Sequence, residues 1–425
     1  MTLPFKQLHA YAVGRKTPSK KVFYLACIIY FLQLQSVQGQ YLEVNPLPID
    51  ATILQVDSTV MLKGPAVLMD LQKMVWCGSV VKMDDSLYYM FYSTFNGGPD
   101  SLTFYNSWVL ESEIAVASSA TPTGNFKYLK TLLKGRRFLG DSAAWDAQMV
   151  HNPHVQKFND TYYLYYVGSK DPGPQAIGST GEKLSKRDRV QQSQQIGVIE
   201  FSSVKALLTD NFIRPDKPLL SPSTRVKSAN VINPSPAGTI AGPDNMVVVN
   251  PSVVYRRADS KYLLYFKGNW YDPVWRGVHG VAIGDSPLGP FQVQPQIMFD
   301  IKDKNGKIAN AEDPFVWYHP EHKLFYAVLK DFTGRLTGGE PSLALLQSQN
   351  GIKWELSPKP EFMKKQVLLK NGNNIQLYHL ERPYLLLDTS GYPVVFYGAA
   401  AIKSPAKQII TGTFNVHIPL QRPKE

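Results

Sequence analysis

Five short phrases place acids, amides and bases beside a proline or glycine: Trp76-Cys77-Gly78, His151-Asn152-Pro153, Asn250-Pro251, Glu312-Asp313-Pro314 and Glu381-Arg382-Pro383. Trp145-Asp146 lies just ahead of the second. Asp146, Glu312, Asp313 and Glu381 are therefore four carboxylates drawn from three such places. Paired carboxylates can cleave a glycosidic bond: one carboxylic acid protonates the leaving oxygen while a carboxylate activates water or attacks the sugar. Their surroundings must then separate the two pKa values, so that one group keeps its proton near neutrality. Each acid taken alone also suits a structural role, capping a turn or pairing with a base, as Glu381 beside Arg382 would. Recurrence at matching positions favours the chemical role for the group.

Other residues around these phrases suit a sugar. His151 can orient a carboxylate or bind a hydroxyl, and Asn152, Asn250, Glu381 and Arg382 would line the same pocket. Trp76, Trp145, Trp270, Trp275 and Trp317 offer aromatic faces to the C–H side of a pyranose, with Trp270 in the loop-like GNWYDPVWRG the best placed. His151 and His154 are too few to define a metal site. No cofactor is required by this chemistry, and a structural or pocket divalent cation has no support in the sequence.

The elements that must position these groups are repeated. NPHVQKFNDTYYLYYVG from Asn152 has counterparts in CGSVVKMDDSLYYMFYS, NPSVVYRRADSKYLLYFKG, DPFVWYHPEHKLFYAVLKD and RPYLLLDTSGYPVVFYGAA. Taking Gly78, Asn152, Asn250, Asp313 and Arg382 as markers, the separations are 74, 98, 63 and 69 residues. Repetition decides architecture before any single motif does. Each copy reads as a hairpin with a polar turn and a tyrosine-rich second strand. A third strand follows in SEIAVASS, QQIGVIEFSS, HGVAIGDSPLGPF, SLALLQSQNGIKW and QIITGTFNVHIPL. Five multi-stranded units predict an all-β, five-bladed β-propeller, since closing the ring leaves only short protected edges. Innermost strands converge on the axis of such a ring, so the first residues of every unit can share one pocket.

The repeats fill residues 73–425 as a single domain. Residues 40–72 form a lead-in that can supply a ring-closing strand, with ATILQV and STVML as candidates. Residues 171–194 and 214–244 read as polar loops, and helical periodicity is hard to find in the propeller. Residues 1–39 read as a signal peptide with a long basic leading stretch. Val22 to Leu34 is an apolar run of 13 residues, short for a bilayer span of roughly 20. Secretion is expected, with a retained signal anchor as the alternative and no stable membrane insertion after cleavage. Cys27 lies in that run, so the mature chain keeps only Cys77 and no internal disulfide. The sequon Asn159-Asp160-Thr161 falls in a turn and is a candidate glycosylation site. The net charge of +11 drops to +6 without the five basic residues of the leader. The remainder forms no arginine-rich stripe, which argues against nucleic acid as a partner.

On these residues the chain resembles the five-bladed β-propeller glycosidases of glycoside hydrolase family 43 and its clan relatives. The polar-Pro openings, the tyrosine-rich strands and GVAIGDSPLGPF are the similar features, over roughly Val75 to Leu420. The resemblance implies an oligo- or polysaccharide substrate and one acid from each of three blades, serving as base, pKa tuner and general acid. Among the acids of this chain, Asp146 is expected as base or nucleophile, Glu312 as general acid and Asp313 as tuner or substrate-binding carboxylate. The first blade of that family usually presents an Asp where Cys77-Gly78 stands here. An inactive carbohydrate-binding propeller is the alternative to a secreted glycoside hydrolase.

Overall fold

The computed structural model describes residues 41–96, 104–271, 275–302, 311–404 and 410–423. The expected signal peptide lies outside the described residues. The chain folds as an all-β, five-bladed propeller. Blade 1 comprises Lys73–Lys82, Tyr88–Asn96, Glu113–Ser119 and Lys127–Leu133, all antiparallel in sequence order. Blade 2 comprises Met149–Phe158, Thr161–Ser169 and Gln195–Phe201. Blade 3 runs from Val249–Arg256 through Lys261–Tyr271 and Trp275–Gly284 to Phe291–Val293. Blade 4 runs from Ala311–His319 through Leu324–Asp331 and Ser342–Ser348 to Glu355–Lys364. Blade 5 has His379–Leu387, Pro393–Ala401 and Phe414–Gln421. The first strand of each blade touches the first strands of both neighbours, so five inner strands close a ring.

The lead-in closes the circle from the chain's other end. Asn45–Pro46 and Val67–Met69 both pair antiparallel with Phe414–Gln421, capping the last open edge. The candidates ATILQV and STVML instead pair with each other, as the hairpin Thr52–Val56 and Thr59–Lys63.

One device shapes every blade and a second recurs in three of them. The inner strands are each broken by a bulge at the marker phrase, where the register skips two residues: Cys77-Gly78, Asn152-Pro153, Asn250-Pro251, Asp313-Pro314 and Arg382-Pro383. The first residue of each pair is left-handed, with φ of 57°, 51°, 58°, 60° and 53°. Proline, which has no N–H for the ladder, fits where the ladder is already interrupted. Gly78 replaces it in blade 1, where a Cβ would meet the Asn415 side chain and the Met90 sulfur at 3.0 Å. The tyrosine-rich strands supply the second device. Tyr165, Tyr265 and Tyr397 are fully buried, and each donates its hydroxyl to a turn carbonyl of the next blade around the ring. The acceptors are Pro287 at 2.8 Å, Gly351 at 2.5 Å and Pro122 at 2.6 Å.

The loops hold short helices that hydrophobic periodicity did not signal. Lys186–Gln192 lies within the segment read as loop; Ser185 caps it, its hydroxyl accepting from the Asp188 N–H at 3.1 Å, and Val190 is buried beneath it. Phe104–Glu111 lies between the second and third strands of blade 1. Among the described residues no helix is long and apolar enough to cross a membrane. Asn159 sits exposed in the two-residue turn of the first blade 2 hairpin, with φ 54°.

Candidate active site

The bulges aim one side chain per blade at the axis, and a chain of hydrogen bonds links these five residues around it. The Cys77 thiol donates to Asn152 Oδ1 at 2.7 Å, Asn152 Nδ2 to Asn250 Oδ1 at 2.6 Å, and Asn250 Nδ2 to Asp313 Oδ1 at 2.7 Å. Arg382 ends the chain: its backbone N–H donates to Asp313 Oδ2 at 3.2 Å and its guanidinium donates to Oδ1 at 3.4 Å. All five lie deep, and Cys77 and Asp313 are only 2% and 3% exposed. The left-handed backbone that creates this inward turn is tolerated best by Asn and Asp, which occupy three of the five places. Burial pushes the Cys77 thiol far up, with the carboxylates of Asp313 and Glu381 adding to the effect against Arg382. A neutral buried thiol is a donor in this chain of bonds rather than a nucleophile.

Above these five residues opens a cavity of about 970 Å³. Its floor holds the residues preceding the bulges: Trp76, His151, Val249, Glu312 and Glu381. The structure thus brings together Trp76, His151, Asn152, Asn250, Glu312, Asp313, Glu381 and Arg382 at one site. Glu312 hydrogen-bonds Lys267, and Glu381 bonds both Lys330 and His379 Nδ1. His151 Nδ1 bonds the Ser112 hydroxyl at 2.7 Å while Trp108 stacks on its ring. Burial and the Arg382 charge hold His151 down at about 3, so it is a neutral imidazole.

The three carboxylates are driven apart in acidity. Burial and the neighbouring Glu312 and Glu381 charges, opposed by Arg382 and Lys330, push Asp313 up to about 6. For Glu381, burial acts upward but the His379 hydrogen bond and Lys330 outweigh it, holding the carboxyl at about 2. Glu312 also moves down, because Lys267 and Lys330 overcome its burial.

Other expected residues fall elsewhere. Asp146 does not line the cavity. It is completely buried between Arg136, at 3.0 Å, and Arg214, at 2.7 Å, and accepts the Tyr166 hydroxyl at 3.0 Å. A carboxylate held by two guanidiniums with no exposed surface cannot reach a substrate, so the base role expected for Asp146 is corrected. Trp270 likewise leaves the cavity, its indole N–H bonded to the Gly242 carbonyl at 2.7 Å and its ring under Arg276. Trp145 stacks on Tyr166 in the core, and Trp317 lines a second cavity of about 780 Å³ at the opposite ends of the inner strands. Aromatic faces come instead from Trp76, Phe104, Tyr105, Trp108, Tyr271 and Phe332.

Lys267, Lys330 and His379 were missed, although two of them had a readable signal. LLYFKG and YAVLKD both place a lysine directly after the apolar run of a second strand. Each lysine reaches the acid at the inner strand of the next blade, Lys267 to Glu312 and Lys330 to Glu381. Among the described residues, no group of three or more His, Cys, Asp or Glu is placed to hold a metal ion.

Comparisons with known proteins add the fold's company. No family model matches the sequence, and no curated protein matches it. A family 117 glycoside hydrolase produced by the marine bacterium Zobellia galactanivorans superimposes with a TM-score of 0.52 at 12% identity, over 89% of this chain and 90% of that one. A structure titled a glycoside hydrolase gives 0.53 at 10% identity, over 93% and 96%. A third, solved as an RGII complex, gives 0.54 at 11% identity, over 85% and 91%. The resemblance to five-bladed propeller glycosidases therefore holds at the level of the fold, which by itself leaves function to the site.

Proposed function

We propose that the chain is a secreted glycoside hydrolase whose acid and base are Asp313 and Glu381. The observation that carries this reading is that Asp313 and Glu381 line one cavity in opposed surroundings, burial pushing Asp313 up while Lys330 and His379, bonded to Glu381, hold it down. Such opposition is how a site assigns acid and base roles. Asp313 keeps its proton in mildly acidic solution and delivers it to the leaving oxygen. Glu381, ionised under Lys330 and His379, activates water or attacks the anomeric carbon. Glu312 becomes the tuner, since its charge is the largest carboxylate influence raising Asp313. The roles expected for Glu312 and Asp313 thus exchange. His151, Asn152 and Asn250 bind or orient hydroxyls, and Trp76 with Trp108 supplies an aromatic wall.

Replacing Glu381 by Gln tests this reading. Turnover on a cleaved glycan should fall by about 100-fold or more, while glycan binding persists. Unchanged turnover would overturn the assignment. A second reading, an inactive carbohydrate-binding propeller, is favoured by one specific feature: each cavity-floor carboxylate has a cationic partner, and blade 1 offers a thiol where an acid is expected. Glycan retention without bond cleavage by the wild-type mature chain would establish that reading instead.

A further inference from the structure

The cavity's charges do not balance, and the imbalance lies at its rim. Its walls contain Lys183, Arg187, Lys227, Lys267, Lys330 and Arg382 against Asp188, Glu312, Asp313 and Glu381. On the floor, each of the last three acids has its own cation. At the rim, Asp188 is already engaged by Arg187 at 3.2 Å. The excess therefore rests on Lys183 and Lys227, neither of which has a carboxylate within ion-pair distance among the described residues.

These two lysines come from separate insertions. Lys183 precedes the helix Lys186–Gln192, inside blade 2, and Lys227 lies in the long segment before blade 3. Lys227 is held in place: its ammonium lies 4.7 Å from the centre of the Tyr271 ring and donates to the Asn230 carbonyl at 3.3 Å. Tyr271 itself lines the cavity. Arg187 beside them is braced by Gln191 and the Tyr105 carbonyl. A neutral sugar gives such cations nothing to neutralise. Charges of one sign at the mouth of a cleft concentrate ligands of the other sign.

Resting on the hydrolase reading of this site, we propose that the substrate is an anionic glycan, bearing a carboxylate or sulfate that sits between Lys183 and Lys227 while the scissile bond lies over Asp313 and Glu381. Binding and cleavage are measured separately on the mature chain with a homogalacturonan oligosaccharide, a sulfated galactan oligosaccharide and their carboxyl-reduced and desulfated counterparts. One acidic probe should bind more tightly than its neutral counterpart, the preference shrinking as salt rises. The double variant Lys183→Gln/Lys227→Gln should lose about 100-fold in affinity for it, two charge-assisted contacts at the weak end of their range. Binding of the neutral counterpart should not change. Which acidic probe prevails distinguishes carboxylate from sulfate. Equal binding or cleavage of neutral glycans overturns the anionic substrate and leaves the hydrolase intact. Tight acidic binding without cleavage supports the rim and overturns the hydrolase, and retention of no probe overturns both.

Discussion

Asp313 is where the site's chemistry and its architecture meet. It accepts from Asn250 at the end of a donor chain that begins at Cys77, and its acidity is set by burial and by the charges of Glu312, Arg382, Glu381 and Lys330. Under the proposed hydrolase reading Asp313 acts in its protonated form, so turnover should decline as pH rises through about 6. Replacing Glu312 by Gln removes one of the charges holding that value up, so the alkaline limb of the pH profile should move to lower pH; a stationary limb would exclude Glu312 as the tuner. The same group makes stability depend on pH. With a folded value of about 6 against an ordinary 3.8, the folded chain holds the extra proton between those values, and stability is lost as pH rises through 6. Glu381 acts oppositely: its depressed carboxyl stabilises above the ordinary 4.5, and that share is lost as pH falls towards 2. At this scale the sequence was half legible. Glu312, Asp313 and Glu381 could be picked out because they stand one or two residues ahead of the repeat's proline. Asp146 stood six residues from Asn152 and looked equivalent, but its place is decided by Arg136 and Arg214, and no local spacing reveals that pairing.

The blade is the unit that made the fold legible. A hairpin of alternating residues with a Tyr-rich second strand recurs five times, and burial of those tyrosines demanded partners that the next blade supplies. Replacing Tyr265 by Phe leaves the buried Gly351 carbonyl without its donor, which should cost about 1–3 kcal/mol in urea unfolding. Tyr163, only partly buried on the same strand type, should change little when replaced likewise. The bulges were less visible. Left-handed backbone at Asn152 and Asn250 is suggested by residue type, yet Arg382 at φ 53° has no such preference and is fixed by its bonds to Asp313. The helices at Phe104 and Lys186 escaped because they are short and rest on tertiary contacts rather than on an apolar stripe.

Closure of the whole ring depends on a segment far from the site. Asn45–Pro46 and Val67–Met69 cover the edge of Phe414–Gln421, the strand that follows the last blade's site-bearing pair. A chain beginning after residue 70 should expose that edge and aggregate, which light scattering on the purified variant would register; a monodisperse, fully folded product would show that the ring closes without it. The axial residues carry a different consequence. The two cavities share no lining residue, and Cys77, Asn152, Asn250, Asp313 and Arg382 lie between them in mutual contact. The propeller is thus a cup with a stopper rather than a tube. A polymer cannot be threaded along its axis, and whatever enters over Glu381 must back out by the mouth through which it came.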